Sequence, residues 1–245
     1  DQGALLRNYV KYDDEPRSAE AIVESMMRAH IMGRTAPKGP TYICLDAGLQ
    51  ETRLAKPVQI PDLSRFKLAA APHASPETVN RVLDLVLGAK KVVILMGRVS
   101  RKQADWDLRQ RFAELIGARV VTDLKSSSSF PTDHPLHIGP PSNWVRDTGK
   151  AAMAEADVIL ALDWIDLAGT FKACGFGYNV KAKVVHCTVD QYVHNGWSAD
   201  HFGLAATDVP VLAEADAFVA QLFADAERRL QGKPRWTGKY AHASE

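Results

Sequence analysis

Four apolar runs separated by helical segments constrain the fold of this chain more than any other feature. The runs span residues 91–96, 119–123, 157–163 and 183–190, and each is rich in Val, Ile and Leu. Continuous apolar strands are typical of parallel sheets that are covered on both faces by helices. The pattern therefore predicts an α/β fold with a doubly wound, mostly parallel, Rossmann-like sheet and right-handed crossovers.

Helical spacing of apolar residues surrounds these strands. It predicts helices at 76–87, 103–116, 148–156 and 210–230, with a long loop between 163 and 183. Gly117 is expected to end the second of these helices. We predict that residues 77–230 form one domain and that 231–245 is an exit linker.

The segment before this domain is predicted to be a partial α/β domain. Residues 1–55 contain a polar break at 11–16, a helix from Ser18 to about residue 32 that Gly33 ends, and a strand at 41–46. One helix and one strand cannot bury their apolar faces alone, so these residues are expected to need a sheet from elsewhere. The proline-rich residues 56–76 are predicted to be a linker.

Charge and cysteine usage exclude several classes of protein. Lys plus Arg is 30 and Asp plus Glu is 29, so the formal net charge is +1 and favours neither a nucleic-acid nor a membrane partner. Cys44, Cys174 and Cys187 are far apart and are expected to be reduced, in a cytoplasmic setting. The chain opens on Asp1 without an initiator Met, which we interpret as a fragment or a processed chain.

The turn after the first long strand is the strongest candidate for ligand binding. Gly97 would let the backbone approach a phosphate, and Arg98 could add charge. A GxGxxG fingerprint is absent, which disfavours an NAD site, and a tight turn with solvated arginines is the favoured interpretation. Asp163 and Asp190 each end a strand, where a carboxylate can bind ribose hydroxyls or cap the following turn; capping is favoured, and Asp123 carries the same ambiguity.

No residue is assigned to catalysis or to a metal from the sequence. His134 and His137 lie among prolines, so loop histidines are favoured over a metal pair. His186 is expected in the core, and His194 and His201 at the surface. GxSxG and P-loop motifs are absent.

The ordered set of segments resembles the acetolactate synthase-like family of thiamine diphosphate (ThDP)-dependent enzymes over roughly residues 1–230. The resemblance begins at the end of the pyrimidine-binding domain and continues through the central domain. The segments that carry it are Lys11-Tyr12-Asp13-Asp14, Gly39-Pro40-Thr41, residues 91–97, Ala118 to Asp123, Phe130-Pro131-Thr132-Asp133-His134-Pro135 and Ala156-Asp157-Val158-Ile159-Leu160.

This resemblance implies a three-domain enzyme that uses ThDP and Mg²⁺ to decarboxylate or ligate 2-oxo acids. The family's catalytic glutamate and its Gly-Asp-Gly…Asn motif for the diphosphate are not among these residues. The isolated chain is therefore expected to be inactive. Family active sites form between subunits, which implies a homodimer or homotetramer, and by analogy Lys11 lines the substrate channel.

FAD binding stays open at this point. The central domain of some family members holds FAD, and Gly97, Arg98, Asp163 and Asp190 are then the candidate contacts. Two family segments, Gly-x-His-Gly and Gly-x-Arg-Phe, are replaced here by Gly139-Pro140-Pro141-Ser142 and Leu162-Asp163-Trp164-Ile165. Alternative hypotheses are a non-catalytic nucleotide-binding or structural α/β module and a free-standing NAD(P)-linked enzyme.

Overall fold

A computed structural model describes residues 1–126, 128–190 and 203–240. The chain divides into two compact units, of which the first contains Asp1–Ala70 and the second the described residues from Ala71 onward. The division falls inside the predicted linker. The domain boundaries that we place at 55/56 and 76/77 stay predictions.

The first unit contains a two-stranded parallel sheet and a helix. Its elements are β1 (Tyr12–Asp14), α1 (Ala19–Arg34), β2 (Thr41–Ile43) and α2 (Ala47–Glu51), with 3-10 helices at Gln2–Leu5 and Leu63–Arg65. β1 and β2 pair in parallel with Tyr12 beside Thr41. The predicted polar break at 11–16 is therefore wrong, because pairing with β2 rather than local propensity makes β1 a strand.

The helix of the first unit begins as predicted and ends later. Ser18 accepts a hydrogen bond from the N–H of Ala21 at 3.1 Å and caps α1. The helix continues through Gly33 to Arg34, so the prediction that Gly33 ends it is wrong. A Cβ on Gly33 would lie 3.3 Å from the carbonyl oxygen of Gly39, so this glycine serves close packing.

A five-stranded parallel sheet organises the second unit and confirms the predicted fold class. In chain order the elements are α3 (Pro76–Gly88), β3 (Val92–Met96), α4 (Gln103–Ile116), β4 (Arg119–Thr122), α5 (Asp147–Glu155), β5 (Val158–Leu162), α6 (Leu167–Ala173), β6 (Lys183–Cys187), β7 (Val209–Val211) and α7 (Ala215–Arg229). The strand order is β4-β3-β5-β6-β7, and every neighbouring pair is parallel.

Two apolar cores lie on the two faces of this sheet. Ile94 of β3 packs in one core with side chains of α3, α4 and α7, including Phe112 and Phe218. Its neighbour Leu95 packs in the other core with α5 and α6, including Phe171. Successive strand residues point to opposite faces, so both faces require apolar side chains. This explains why the strands read as uninterrupted apolar runs.

Two elements of the second unit were not predicted. β7 is a three-residue edge strand that contains Pro210, and edge strands tolerate a proline. α6 is seven residues long and lies in the segment predicted to be a loop; the Asp166 side chain caps it by accepting from the N–H of Gly169. The last helix begins at Ala215 rather than at residue 210, because β7 occupies the start of that segment.

Residues 231–240, called the C-terminal strap below, lie against the ends of two helices. The N–H groups of Arg235 and Trp236 donate to the carbonyls of Leu115 and Glu114, in the last turn of α4. The Arg235 guanidinium donates to the carbonyl of Ala89 at 3.1 Å and to that of Leu87, at the end of α3. The strap thus satisfies carbonyls that a helix end leaves without intrahelical partners. Its predicted role as an exit linker stays a prediction.

Candidate functional site

The candidate site lies at the carboxyl ends of the central strands of the second unit. The chain passes from β3 to β4 on one side and then returns to β5 on the other side of β3. Such a reversal is the switch point at which open α/β sheets bind ligands. Gly97 directly follows β3 and Asp163 directly follows β5, so two of the residues singled out from the sequence flank this point.

The backbone closes this switch point directly beyond the strands. The N–H of Gly97 donates to the carbonyl of Leu162 at 2.9 Å, and the N–H of Arg98 donates to the carbonyl of Asp163 at 3.0 Å. A Cβ on Gly97 would lie 2.2 Å from the Asp163 carbonyl oxygen. Asp163 itself has a φ of 49°, which turns the chain sharply there. Gly97 is therefore required for close approach to β5.

Arg98 joins the two candidate carboxylates. Its Nη2 lies 3.0 Å from Oδ1 of Asp163 and 3.1 Å from Oδ2 of Asp190. The hydroxyl of Thr188 donates to Oδ1 of Asp163 at 2.5 Å and accepts from the N–H of Asp190 at 3.0 Å. We call these four residues the Arg98 clasp. It connects the ends of β3, β5 and β6.

The clasp is largely withdrawn from solvent. The Arg98 side chain is 33% exposed, and those of Asp163 and Asp190 are 12% and 16% exposed. Burial lowers the pKa of Arg98, but the two carboxylates outweigh this effect and leave the pKa above its ordinary value. The expectation of a solvated Arg98 is thus wrong. Asp163 binds Arg98 and Thr188 in place of the turn cap that we favoured, whereas Asp123 does accept from the N–H of Ser126 at 2.8 Å.

A buried ionic network fixes the loop that carries Arg98. Arg109 of α4 is fully buried; it pairs with Asp216 of α7 and donates to the carbonyls of Ser129, at 3.0 Å, and Ser100, at 3.3 Å. Asp216 in turn accepts from the N–H of Ser100 at 2.5 Å. These four residues are the Arg109 network. We did not predict this network. The available signal was that Arg109 shares a helix face with the apolar Phe112 and Ile116, and a charged residue on a buried face needs an oppositely charged partner.

The histidines predicted to lie in loops make structural contacts. Nδ1 of buried His134 accepts from the N–H of Leu136 at 3.0 Å, so its Nε2 donates to Glu114 at 3.0 Å. His137 contacts the hydroxyl of Thr122 at 2.8 Å. Over the described ranges, no group of three His, Cys, Asp or Glu side chains could hold a metal ion. His194 and His201 lie outside the described residues.

His186 of β6 is half-buried rather than fully buried, and it lies near the clasp. Burial lowers its pKa most, with Arg98 acting in the same direction, while Asp163 and Asp190 oppose the shift. Burial also lowers the pKa of His137, to which His134 contributes. Both imidazoles are therefore stabilised in the neutral form.

Lys11 belongs to the first unit. Its ammonium group donates to the carbonyl of Thr35 at 2.6 Å, at the end of α1. Burial lowers its pKa. This contact caps a helix carbonyl, and the substrate-channel role expected by analogy stays a prediction.

The clasp residues do not fit the diphosphate of FAD. Phosphates bind at such turns through free backbone N–H groups, and those of Gly97 and Arg98 already donate to β5 and the turn that follows it. Two carboxylates and one guanidinium also leave the site with a net formal charge of −1, which repels an anion.

No helix among the described residues is long and apolar enough to cross a membrane. The three cysteines, Cys44, Cys174 and Cys187, are all free thiols. Burial raises the pKa of the Cys174 and Cys187 thiols, which disfavours the nucleophilic thiolate at both positions.

Comparison with known proteins gives consistent matches. The family described as "Thiamine pyrophosphate enzyme, central domain" matches residues 79–222. The acetolactate synthase large subunit of Corynebacterium glutamicum is 27% identical over 205 residues, which are 82% of this chain and 31% of that protein. The acetolactate synthase of Mycobacterium avium is 30% identical over 65% of this chain and 24% of that protein. The chain thus spans less than a third of the length of these relatives.

Two solved structures share the fold at 17% identity. A benzoylformate decarboxylase from Polynucleobacter necessarius superposes with a TM-score of 0.63, covering 88% of this chain and 38% of that one. A protein from Mycobacterium smegmatis, described as a thiamin diphosphate-dependent enzyme, gives 0.67 over 98% of this chain and 44% of that one.

Proposed function

This chain belongs to the thiamine pyrophosphate enzyme family, and from that premise we propose that it is part of a ThDP- and Mg²⁺-dependent enzyme that acts on 2-oxo acids. The observation that carries the proposal is the family match at 79–222, which coincides with the five-stranded parallel sheet. The reaction that we propose is decarboxylation or carboligation. Acetolactate synthases among the relatives support this reaction class.

In this proposal the catalytic residues belong to parts of the enzyme outside residues 1–245. ThDP, when bound, supplies the carbanion stabilisation that 2-oxo acid chemistry requires. The Gly-Asp-Gly motif of the family does not occur in this sequence. We therefore propose that residues 77–230 act as a central spacer domain and that residues 1–55 complete a pyrimidine-binding domain. The chain alone would then be inactive.

The clasp residues serve the spacer role better than a nucleotide-binding one. Nη2 of Arg98 pairs with both Asp163 and Asp190, and Gly97 brings β3 against the turn after β5. Such contacts hold three strand ends together. They support the structural part of the alternative hypothesis, that of an α/β module without catalysis, for this domain taken by itself.

The partners in this proposal follow from the family. We propose a small 2-oxo acid as substrate and a homodimer or homotetramer as the assembly. The free thiols of Cys44, Cys174 and Cys187 support a cytoplasmic location.

The test is to express the complete reading frame and measure CO₂ release from a panel of 2-oxo acids that includes pyruvate and benzoylformate. We expect release that requires both ThDP and Mg²⁺, lost after chelation and dialysis and restored when both are returned. An enzyme that releases CO₂ from none of the panel, or releases it equally without ThDP, would contradict the proposal.

A further inference from the structure

We propose that Arg98 is a built-in occupant of the switch-point crevice and that this domain therefore binds no dinucleotide there. The inference deepens the proposed function, because it assigns the enzyme to ThDP chemistry without FAD in the central domain. Arg98, Asp163 and Asp190 lie beyond the carboxyl ends of the strands, where open parallel sheets usually bind a ligand.

The turn after β3 leaves no space for a ligand beside Gly97. A Cβ on Gly97 would lie 2.2 Å from the carbonyl oxygen of Asp163 and 2.6 Å from the Cα of Trp164. A glycine at this turn usually admits a phosphate against the backbone. In this chain the backbone of Asp163 and Trp164, which follows β5, occupies the space beside Gly97 instead. The position next to Gly97 is thus filled by the chain itself.

The backbone N–H donors of this turn are already used, although the buried Nε of Arg98 has no hydrogen-bond partner among the described residues. The N–H groups of Gly97 and Arg98 donate to the carbonyls of Leu162 and Asp163. Nη2 of Arg98 contacts both carboxylates of the clasp. A diphosphate would have to replace these bonds, and each carboxylate left without its cation would be a buried, unpaired charge.

The loop that carries Arg98 is held in place by buried contacts. Ser100, two residues after Arg98, is held at its N–H by Asp216 and at its carbonyl by Arg109. Arg109 is fully buried and also donates to the carbonyl of Ser129. Opening the crevice would disturb this network as well as the clasp. Both sets of contacts favour the closed crevice.

The first experiment measures nucleotide content and binding in the enzyme expressed from its complete reading frame. We expect no flavin absorbance or fluorescence after heat release, and no saturable heat of binding with added FAD or ADP. Stoichiometric flavin in the purified enzyme, or saturable binding of either probe, would overturn the inference.

The second experiment tests whether Arg98 fills the crevice. Arg98→Ala should lower the Tm by about 2–4 °C or more, because Asp163 and Asp190 lose the cation that pairs with them. Guanidinium chloride at low millimolar concentration should restore part of that loss, whereas sodium chloride at equal ionic strength should not. The matched control is Arg101→Ala, an exposed arginine on the same loop, which should show neither effect.

The outcomes separate this inference from the proposed function. ThDP-dependent CO₂ release without flavin supports both. Stoichiometric FAD in an active enzyme refutes the inference and leaves the proposed function intact. An inactive enzyme without flavin refutes the proposed function and leaves the inference intact. An unchanged Tm in Arg98→Ala, or a Tm that guanidinium does not raise, would show that Arg98 is not the occupant.

Discussion

Gly97 and Asp163 meet so closely that a Cβ on Gly97 would lie 2.2 Å from the carbonyl oxygen of Asp163. The contact joins the residue after β3 to the residue after β5, across the reversal of strand order. Because the atom in the way belongs to the backbone, no side-chain rotation can relieve it.

Gly97→Ala should destabilise the protein by about 1–3 kcal/mol or more, because the strand ends must separate to admit the methyl group. The free energy of unfolding, measured in urea by far-UV circular dichroism, checks this. The control is Gly88→Ala at the end of α3, where a Cβ meets nothing within 4 Å; it should be neutral or stabilising. Equal effects at the two glycines would contradict the close approach.

Loss of Arg109 should cost about 3–5 kcal/mol, because the Asp216 carboxylate loses its buried cation. Arg109→Met keeps much of the side-chain volume, and urea denaturation measures the change. Lys91→Met is the control, since Lys91 and Glu155 form a solvent-exposed pair whose loss should leave the stability nearly unchanged.

The double variant Arg109→Met/Asp216→Leu should lose less stability than the sum of the two single variants, because neither charge is then left unpaired. Strict additivity would mean that Arg109 and Asp216 contribute independently. That outcome would remove the basis for treating the Arg109 network as one unit.

Arg235→Met should destabilise the second unit by about 1–2 kcal/mol, because α3 loses donors at its final carbonyls. Arg235 donates to the carbonyl of Ala89 at 3.1 Å and to that of Leu87. The comparison is Arg228→Met, whose side chain is 76% exposed and pairs with nearby Asp225; it should change stability by less than about 1 kcal/mol. If both variants unfold at the same urea concentration as the parent, the strap does not support α3.

Acidification should destabilise the protein through His186. Its pKa is lowered in the fold from an ordinary value of 6.5, so the unfolded chain binds a proton that the folded one does not. Stability from this group is therefore present above about pH 6.5 and decreases as the pH falls toward the folded pKa.

His186→Gln removes this titration, so its free energy of unfolding should fall less steeply than that of the parent below about pH 6.5. His137, whose pKa is also lowered, keeps part of the slope in both proteins. Urea denaturation at several pH values gives the comparison. Parallel pH profiles for the two proteins would contradict a half-buried His186 that is neutral in the fold.

The strands of the second unit could be predicted because burial on both faces demands apolar residues at every position. β3, β4, β5 and β6 all lie within the predicted runs. The short strands β1 and β7 were not predicted. β1 carries two aspartates and β7 carries a proline, so local pattern argued against both, and only pairing with a neighbour makes them strands.

The candidate residues were also predictable in position but not in role. Gly97, Arg98, Asp163 and Asp190 stand at strand ends, which a sequence pattern locates. Whether an arginine there is solvated, binds a ligand or pairs internally depends on which strand ends become neighbours. The sequence around Arg98 would be the same whether the arginine were solvated, bound a ligand or paired internally.

The sequence by itself determined the layered α/β architecture, because the apolar period of each segment dictates which faces must be buried. Tertiary structure alone decided the strand order, and with it the pairing of Arg98 with carboxylates 65 and 92 positions along the chain. It also decided the pairing of Arg109 with Asp216, which are 107 positions apart. Charges this distant meet only when sheet topology brings their strand and helix ends together, and no local pattern encodes that distance.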